Sequence, residues 1–326
     1  MTINIDLLEK VQKIVSHHNC ADGTVSAMLC VAAFRSLRPS MDIEFSYYND
    51  KQHDSIKPEP GLMFVDFTPP YAKWPEFRDV GTIVLDHHKS AKPHIVGSNV
   101  IFGDGKTESG ASLCFKHVLE PMAKKHGHIS CFEMPSWKYL SELICIYDTW
   151  QQDSKYWQEA CNITQGILFL GHKECLHMVR SGKLDIPLLE GIGQRWNKRI
   201  KNKARAVAES AVIRDYNGFK IAVYNNTEKI TSEVGDELGD KADFSIGYSI
   251  HQDGGRIKML CSFRSRGGFD TTLISRPLGG GGHPGASGAL IDIGVGEFPD
   301  IERQFRNIAN IARNSMNQLV DNVINS

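Results

Sequence analysis

The chain has 326 residues, 41% hydrophobic and 23% charged, with 37 basic against 38 acidic side chains and a net charge of −1. That is enough for two domains with cores of their own, in the composition range of soluble globular proteins. It excludes the basic excess with which proteins track long nucleic acid, and no apolar run approaches the roughly 20 residues needed to span a bilayer.

The eight cysteines are scattered without a CxxC pair, which argues against a zinc knuckle or a disulfide framework and for a reducing, cytoplasmic setting. The N-terminal "MTINIDLLEKVQKIV" holds acidic residues and no small-residue cleavage pattern, so no signal peptide is expected.

In chain order, "QKIVSHH" (12–18) reads as a strand and "TVSAMLCVAAFRSL" (24–37) as a helix. "IEFSYYN" (43–49), "GLMFVDF" (61–67) and "GTIVLDHH" (81–88) read as further strands. "SGASLCFKHVLEPMAKKHG" (109–127) and "SWKYLSELICIYDTW" (136–150) read as helices. Short apolar runs alternating with helical patterns predict βαβ units around a mostly parallel sheet, whose ligands gather at the carboxyl ends of the strands.

A polar helical stretch over 188–212 is expected to link two domains; its dense basic cluster, "RWNKRIKNKAR" (195–205), reads as a solvated face. Beyond it, "FKIAVYNN" (219–226) is a predicted strand and "TSEVGDELGDK" (231–241) a helix. "FSIGYSI" and "RIKMLCSFRS" flank the glycine turn in "HQDGG" (251–255) as a hairpin. "FPDIERQFRNIANIARNSMNQLV" (298–320) is an amphipathic helix with Pro299 near its start. The expected architecture is α/β: a mostly parallel N-terminal domain over 1–187, a linker helix over 188–212 and a smaller α/β domain over 213–326, with a cleft between the domains.

Four apolar approaches end in candidate metal ligands: "SHHNCADG" (16–23), "FVDFTPP" (64–70), "VLDHHKS" (84–90) and "IYDTW" (146–150). Taken singly, an Asp after a strand is a turn residue or a helix cap. Several converging aspartates without a cation would repel one another and hold protons. Carboxylates mixed with imidazoles suit Mn²⁺, Zn²⁺ or Fe²⁺, and a pair of such ions can share a carboxylate and activate a water.

These four stretches resemble the motifs of the DHH phosphoesterase superfamily, which takes in RecJ-like nucleases, nanoRNases, pAp phosphatases, polyphosphatases and family II pyrophosphatases. The resemblance implies metal ligation by His18, Asp22, Asp66, His87 and Asp148, with Asp66 bridging two ions, and catalytic parts for Asp86 and His88. His18 is taken over His17 because it precedes Asp22 by four residues, as the superfamily's histidine does. The first motif departs from the usual Asp-x-Asp: Cys20 and Thr24 flank Asp22. Cys20 either brings a thiolate that favours a softer ion or leaves one site weak. "TESGAS" (107–112), ahead of a helix, also fits the resemblance.

The second constellation is "LGGGGHPGASGAL" (278–290), a glycine run followed by a small-residue pattern that reads as helical. Such a run lets backbone N–H groups close on an anion, with His283 as a directed donor. Upstream, Arg264 in "CSFRSRGGFD" (261–270) ends a predicted strand, its guanidinium suited to phosphate. The two stretches resemble the C-terminal DHH-associated domain of the nanoRNase, cyclic-dinucleotide and RecJ-like branches. That implies substrate binding by Arg264, Ser265, Gly280, Gly281, Gly282 and His283; Ser287 stands where many members carry Ala.

The expected function is hydrolysis of short oligonucleotides, dinucleotides or nucleotide phosphates by metal-activated water. Two divalent ions are expected, Mn²⁺ first, with Zn²⁺, Fe²⁺ or Mg²⁺ as alternatives. Polyphosphate hydrolysis and nucleotide binding with reduced catalysis are the competing readings. The expected partner is a short nucleotide or oligonucleotide, with neither membrane nor long nucleic acid involved, and a homodimer is admitted.

Overall fold

The computed structural model describes residues 3–47, 51–127, 129, 133–227, 230–253, 255–294 and 300–324. Pro299, Gly254 and the end of the second predicted strand, Tyr48 and Asn49, lie outside them. The chain divides into two compact units, Met1–Asn197 and Lys198–Ser326, and passes from one to the other within the single helix Ile186–Ser210.

The first unit is built on strands β1 (Lys13–His17), β2 (Asp42–Ser46), β3 (Leu62–Val65), β4 (Ile83–Asp86) and β5 (Val100–Phe102). They form one sheet in the order β2-β1-β3-β4-β5, every pair parallel. The central strands β3 and β4 are buried on both faces and read as apolar runs because both faces are covered. Ile14, Met63, Val65, Ile83 and Leu85 pack into one core; the alternate residues Val15, Leu62, Phe64 and Val84 pack into another with Phe67, Trp74 and Phe77. The helix Ala21–Phe34 is apolar nearly all round, and every one of its residues is buried. β5 and the helices Trp157–Leu170 and His172–Arg180 were not anticipated by the sequence patterns. The predicted helix over 109–127 appears as one helical run, Gly110–Cys114 and Glu120–His126 joined by a π-helical turn.

The second unit holds β6 (Val212–Tyr216), β7 (Phe219–Asn225), β8 (Phe244–Asp253), β9 (Arg256–Arg264), β10 (Gly281–His283) and β11 (Ala286–Gly294). The sheet order is β10-β11-β9-β8-β7-β6, with β7 and β8 parallel and the other pairs antiparallel. β8 and β9 are the predicted hairpin. One face packs on the helix Ile301–Ile324 through Phe305, Ile308, Ala309 and Ala312, a helical stripe. The other packs on the helix Thr231–Leu238 and on Ala204 and Ala208 of the long helix, whose arginines and lysines at 195, 198, 199, 201 and 205 are exposed. No helix among the described residues is long and apolar enough to cross a membrane.

Candidate metal centre

Chain travel reverses between β1 and β3, because β1 connects to β2 on one side and the sheet then grows on the other. A parallel sheet opens its binding crevice at that point, beyond the carboxyl ends of the strands. His17 ends β1, Asp66 follows β3, and Asp86 ends β4 with His87 and His88 behind it. The pairings Ser16↔Val65 and Val65↔Leu85 put these side chains at one level of one edge.

Asp66 sits at the middle. It is 1% exposed, and its φ of 51° places a non-glycine residue in the left-handed region, strain of the kind that functional sites retain. Its two oxygens face opposite ways. Oδ2 lies 3.5 Å from Cys20 Sγ and 3.8 Å from His17 Nδ1. Oδ1 lies 3.2 Å from His87 Nε2 and accepts no hydrogen bond from the described residues. His87 Nε2 also stands 3.2 Å from Asp148 Oδ2 and 3.6 Å from Asp22 Oδ2.

Asp22 is fixed by three donors. Ser109 Oγ (2.8 Å) and Ala111 N–H (2.8 Å) donate to Oδ1, and Gly110 N–H (2.6 Å) donates to Oδ2. The "SGAS" stretch is thus a helix N-terminus whose orphan N–H groups and positive dipole end hold a carboxylate. Ser109 and Ser112 close a capping box around the same turn. Gly110 has to be glycine: a Cβ there would fall well inside van der Waals contact with Asp66 Cβ. On the other flank, a Cβ on Gly23 would lie 2.5 Å from His17 O, so the first turn of the helix Ala21–Phe34 can press against the end of β1.

The electrostatics match crowded carboxylates. Burial, then the charges of Asp22, Cys20, Asp86 and Asp148, push Asp66 well above the ordinary carboxylate range. Asp148 closes the helix Met134–Asp148, at the end whose carbonyls repel a carboxylate. Asp148 is the most open of these carboxylates, yet partial burial and the charge of Asp22 push it up to about 7. Burial lowers His17 to about 4 and also lowers His87. Burial likewise opposes the charged form of His88, but the hydrogen bond to Asp86 Oδ1 (2.7 Å) and the surrounding carboxylates outweigh it and raise His88. Burial and Asp22 push the Cys20 thiol up to about 12.

Protons on such a set are the expected outcome only in the absence of cations. Three trios offer ligand atoms within 4.8 Å of one another: His17, Cys20 and Asp66; Asp66, His87 and His88; Asp22, His87 and Asp148. The buried oxygen of Asp66 with no donor and the mixed N, O and S donor set fit divalent transition ions.

The structure therefore brings together Asp22, Asp66, Asp86, His87, His88 and Asp148. It does not bring His18 to them. His18 lies one residue past β1; its N–H donates to Ser46 O (2.9 Å), and its ring packs on Tyr47 (4.4 Å) and edge-on to His172 (5.0 Å). Adjacent residues at a strand end point apart, and the alternation selects His17. The spacing to Asp22 did not carry that information.

In the second unit, Arg264 ends β9. It is half-buried, with Nη1 donating to Phe263 O (2.8 Å) and Nε to Ser232 Oγ (3.3 Å). The glycine run is not a loop opening a helix: Gly281–His283 is the edge strand β10, and the residues after it form β11. Pairing with β11 uses part of the backbone that an anion nest would need. Gly280 N–H donates to Ser275 O, and a Cβ on Gly280 would strike Gly288 O. A Cβ on Gly282, at φ 134°, would lie 2.6 Å from Ala286 O, whereas Gly281 faces open space. The Ser265 hydroxyl donates to Asp243 O (3.0 Å) and accepts from Phe269 N–H (3.1 Å), so its side chain is a structural tie. Gly281, Gly282 and His283 are exposed along this edge.

No protein-family model matches the chain. It is 25% identical over 308 residues, 86% of this chain and 67% of the relative, to uncharacterized protein R106 of Acanthamoeba polyphaga mimivirus. Among solved structures it resembles the pGpG-specific phosphodiesterase PggH from Vibrio cholerae, with a TM-score of 0.56 and 15% identity over 93% of this chain and 99% of that one. RecJ from Thermus thermophilus, in complex with Mn²⁺, aligns with a TM-score of 0.48 and 14% identity over 94% of this chain and 52% of that one. The chain has a DHH-like α/β fold, an all-parallel five-stranded sheet followed by a second, mixed sheet.

Proposed function

We propose that the protein is a divalent-metal-dependent phosphoesterase that hydrolyses short nucleotides or oligonucleotides. The observation that carries this is Asp66, whose two oxygens face two different ligand groups, His17 with Cys20 and His87 with Asp22 and Asp148. A carboxylate so placed would be able to hold two divalent ions at once. When bound, such ions supply Lewis acidity toward phosphoryl oxygens and lower the pKa of water.

The residues divide the remaining work. Asp22, held by the helix N-terminus at 110–111, and Asp148 with His87 make an oxygen-rich group suited to Mn²⁺. His17, Cys20 and Asp66 make a group with a sulfur donor, which suits Zn²⁺ or Fe²⁺ better. His88, oriented by Asp86, faces the same edge and is assigned to stabilise charge on the phosphoryl group or to hand a proton to the leaving oxygen. In the second unit, Arg264, Gly281, Gly282 and His283 are assigned to the anionic substrate; Ser265 and Gly280 support that edge. PggH is named for a dinucleotide substrate, in line with a short nucleotide here.

Cys20 favours one alternative, a nucleotide-binding protein with reduced catalysis, because a half-buried thiol stands where the superfamily motif has a carboxylate. Purified protein supplied in turn with Mn²⁺, Zn²⁺ and Fe²⁺ should cleave pApA or a short oligonucleotide, and Asp66→Asn should abolish that cleavage. Tight nucleotide binding without turnover under all three ions would select the alternative.

A further inference from the structure

A cavity of about 560 Å³ opens beside the metal centre, and His88 belongs to both. Its other walls come from Pro70, Tyr71 and Ala72 after β3, from His53 and Asp54, and from Ser90. Tyr71 is 37% exposed and stacks on His94 at 4.7 Å and 14°, so its ring is braced on one side. His53 is 5% exposed; its Nε2 lies 2.8 Å from Thr68 O and its ring 4.8 Å from that of Phe67. The volume is in the range of small-molecule sites.

The chemistry of the walls selects a ligand. The rings of His53 and Tyr71, with Pro70 and Ala72, offer apolar contact, while Asp54 and Ser90 are polar lining residues beside His88. No lysine or arginine is among the described lining residues; Lys73 lies beside them with its ammonium on Asp54 O, 2.5 Å away. A second phosphate placed there would meet a carboxylate. A neutral, ring-bearing polyol would not.

We propose that this cavity receives the nucleoside that leaves when the phosphoester is cut. The proposal rests on the phosphoesterase reading and specifies its substrate class: an ester of a nucleoside hydroxyl, not a phosphoanhydride. In the step, water oxygen bonds to phosphorus, the bond from phosphorus to the nucleoside oxygen breaks, and a proton originating from the water ends on that oxygen. With His88 on the shared wall, the phosphorus lies over the metal centre and the departing nucleoside lies against Tyr71, near the Asp54 carboxylate.

Two variants test it in the full chain: Tyr71→Ala removes the ring, and Ala72→Trp fills the space. The first readout is the ratio of kcat/KM for the dinucleoside monophosphate ApA to that for the methyl ester of AMP, with Mn²⁺ present. The second is calorimetric binding of adenosine to the metal-free protein. Base stacking and its conversion to affinity predict that each variant lowers the ratio, the adenosine affinity or both by roughly five- to a hundredfold. Unchanged ratio and unchanged or absent adenosine binding in both variants would overturn the proposal while leaving the phosphoesterase reading intact. If the wild type cleaved neither ester but bound adenosine in a way that both variants weaken, the cavity would stand and the catalytic reading would fall.

Discussion

Gly110 and Asp66 are in backbone-to-side-chain contact so close that no side chain fits on Gly110. One residue thereby joins two parts of the centre: its N–H holds Asp22, and its missing Cβ makes room for Asp66. Gly110→Ala would ordinarily gain about 1 kcal/mol of helix propensity. Overpacking at this site should reverse the sign and cost about 1–3 kcal/mol. A denaturant titration of the metal-free protein measures it, and a more stable variant would contradict the described contact.

His17 and His18 are separable by substitution. His17→Ala should lower kcat/KM by about a hundredfold or more, since loss of even an outer-shell partner of a metal typically costs 10–100-fold. His18→Ala should stay within a few-fold of wild type. The reverse order of effects would restore His18 as the ligand.

Asp148 makes a pH-dependent contribution that can be isolated. Its folded value, about 7, stands above the ordinary 3.8, so the metal-free folded state holds a proton that the unfolded state releases. Stability from this carboxyl is therefore full at low pH and is lost as pH rises from about 4 to about 7. His17 and His87, both lowered, act in the opposite direction, so the test is a difference. Unfolding of chelated wild type and Asp148→Asn, at pH 4.5 and 7.5, should show the variant gaining on the wild type at the higher pH. A constant gap would show that Asp148 titrates normally.

Cys20 should set metal preference. Cys20→Asp replaces sulfur with oxygen beside Asp66, and after dialysis against equimolar Mn²⁺ and Zn²⁺ the variant should retain a larger Mn²⁺ fraction than the wild type. Metal ratios that do not move would place Cys20 outside the coordination shell.

Much of the candidate centre was legible because β3 and β4 are apolar runs, and the helix Met134–Asp148 an amphipathic one, that each stop at a charged residue. Asp66, Asp86 to His88 and Asp148 stand at those stops. The choice between His17 and His18 was not legible, since it depends on which side of the strand end faces the crevice. Nor was the way Asp22 is held, for its donors lie 87 to 89 residues away in the chain. The glycine run misled for a related reason: its strand character comes from the pairing of Gly281 with Gly288 and of Gly282 with Ser287, not from residues that favour extended structure. β5, three residues long, is likewise recruited by its neighbour β4.

In the proposed mechanism Asp66 ties two cations into one centre. Metal analysis of purified protein, paired with hydrolysis of a short oligonucleotide before and after chelation, tests it most directly. The wild-type protein should carry about two divalent ions per chain, with activity that chelation removes and metal restores, and Asp66→Asn should lose both ions and activity. Full hydrolysis by a wild-type protein stripped of metal, or an Asp66→Asn variant that keeps its ions and its rate, would contradict it.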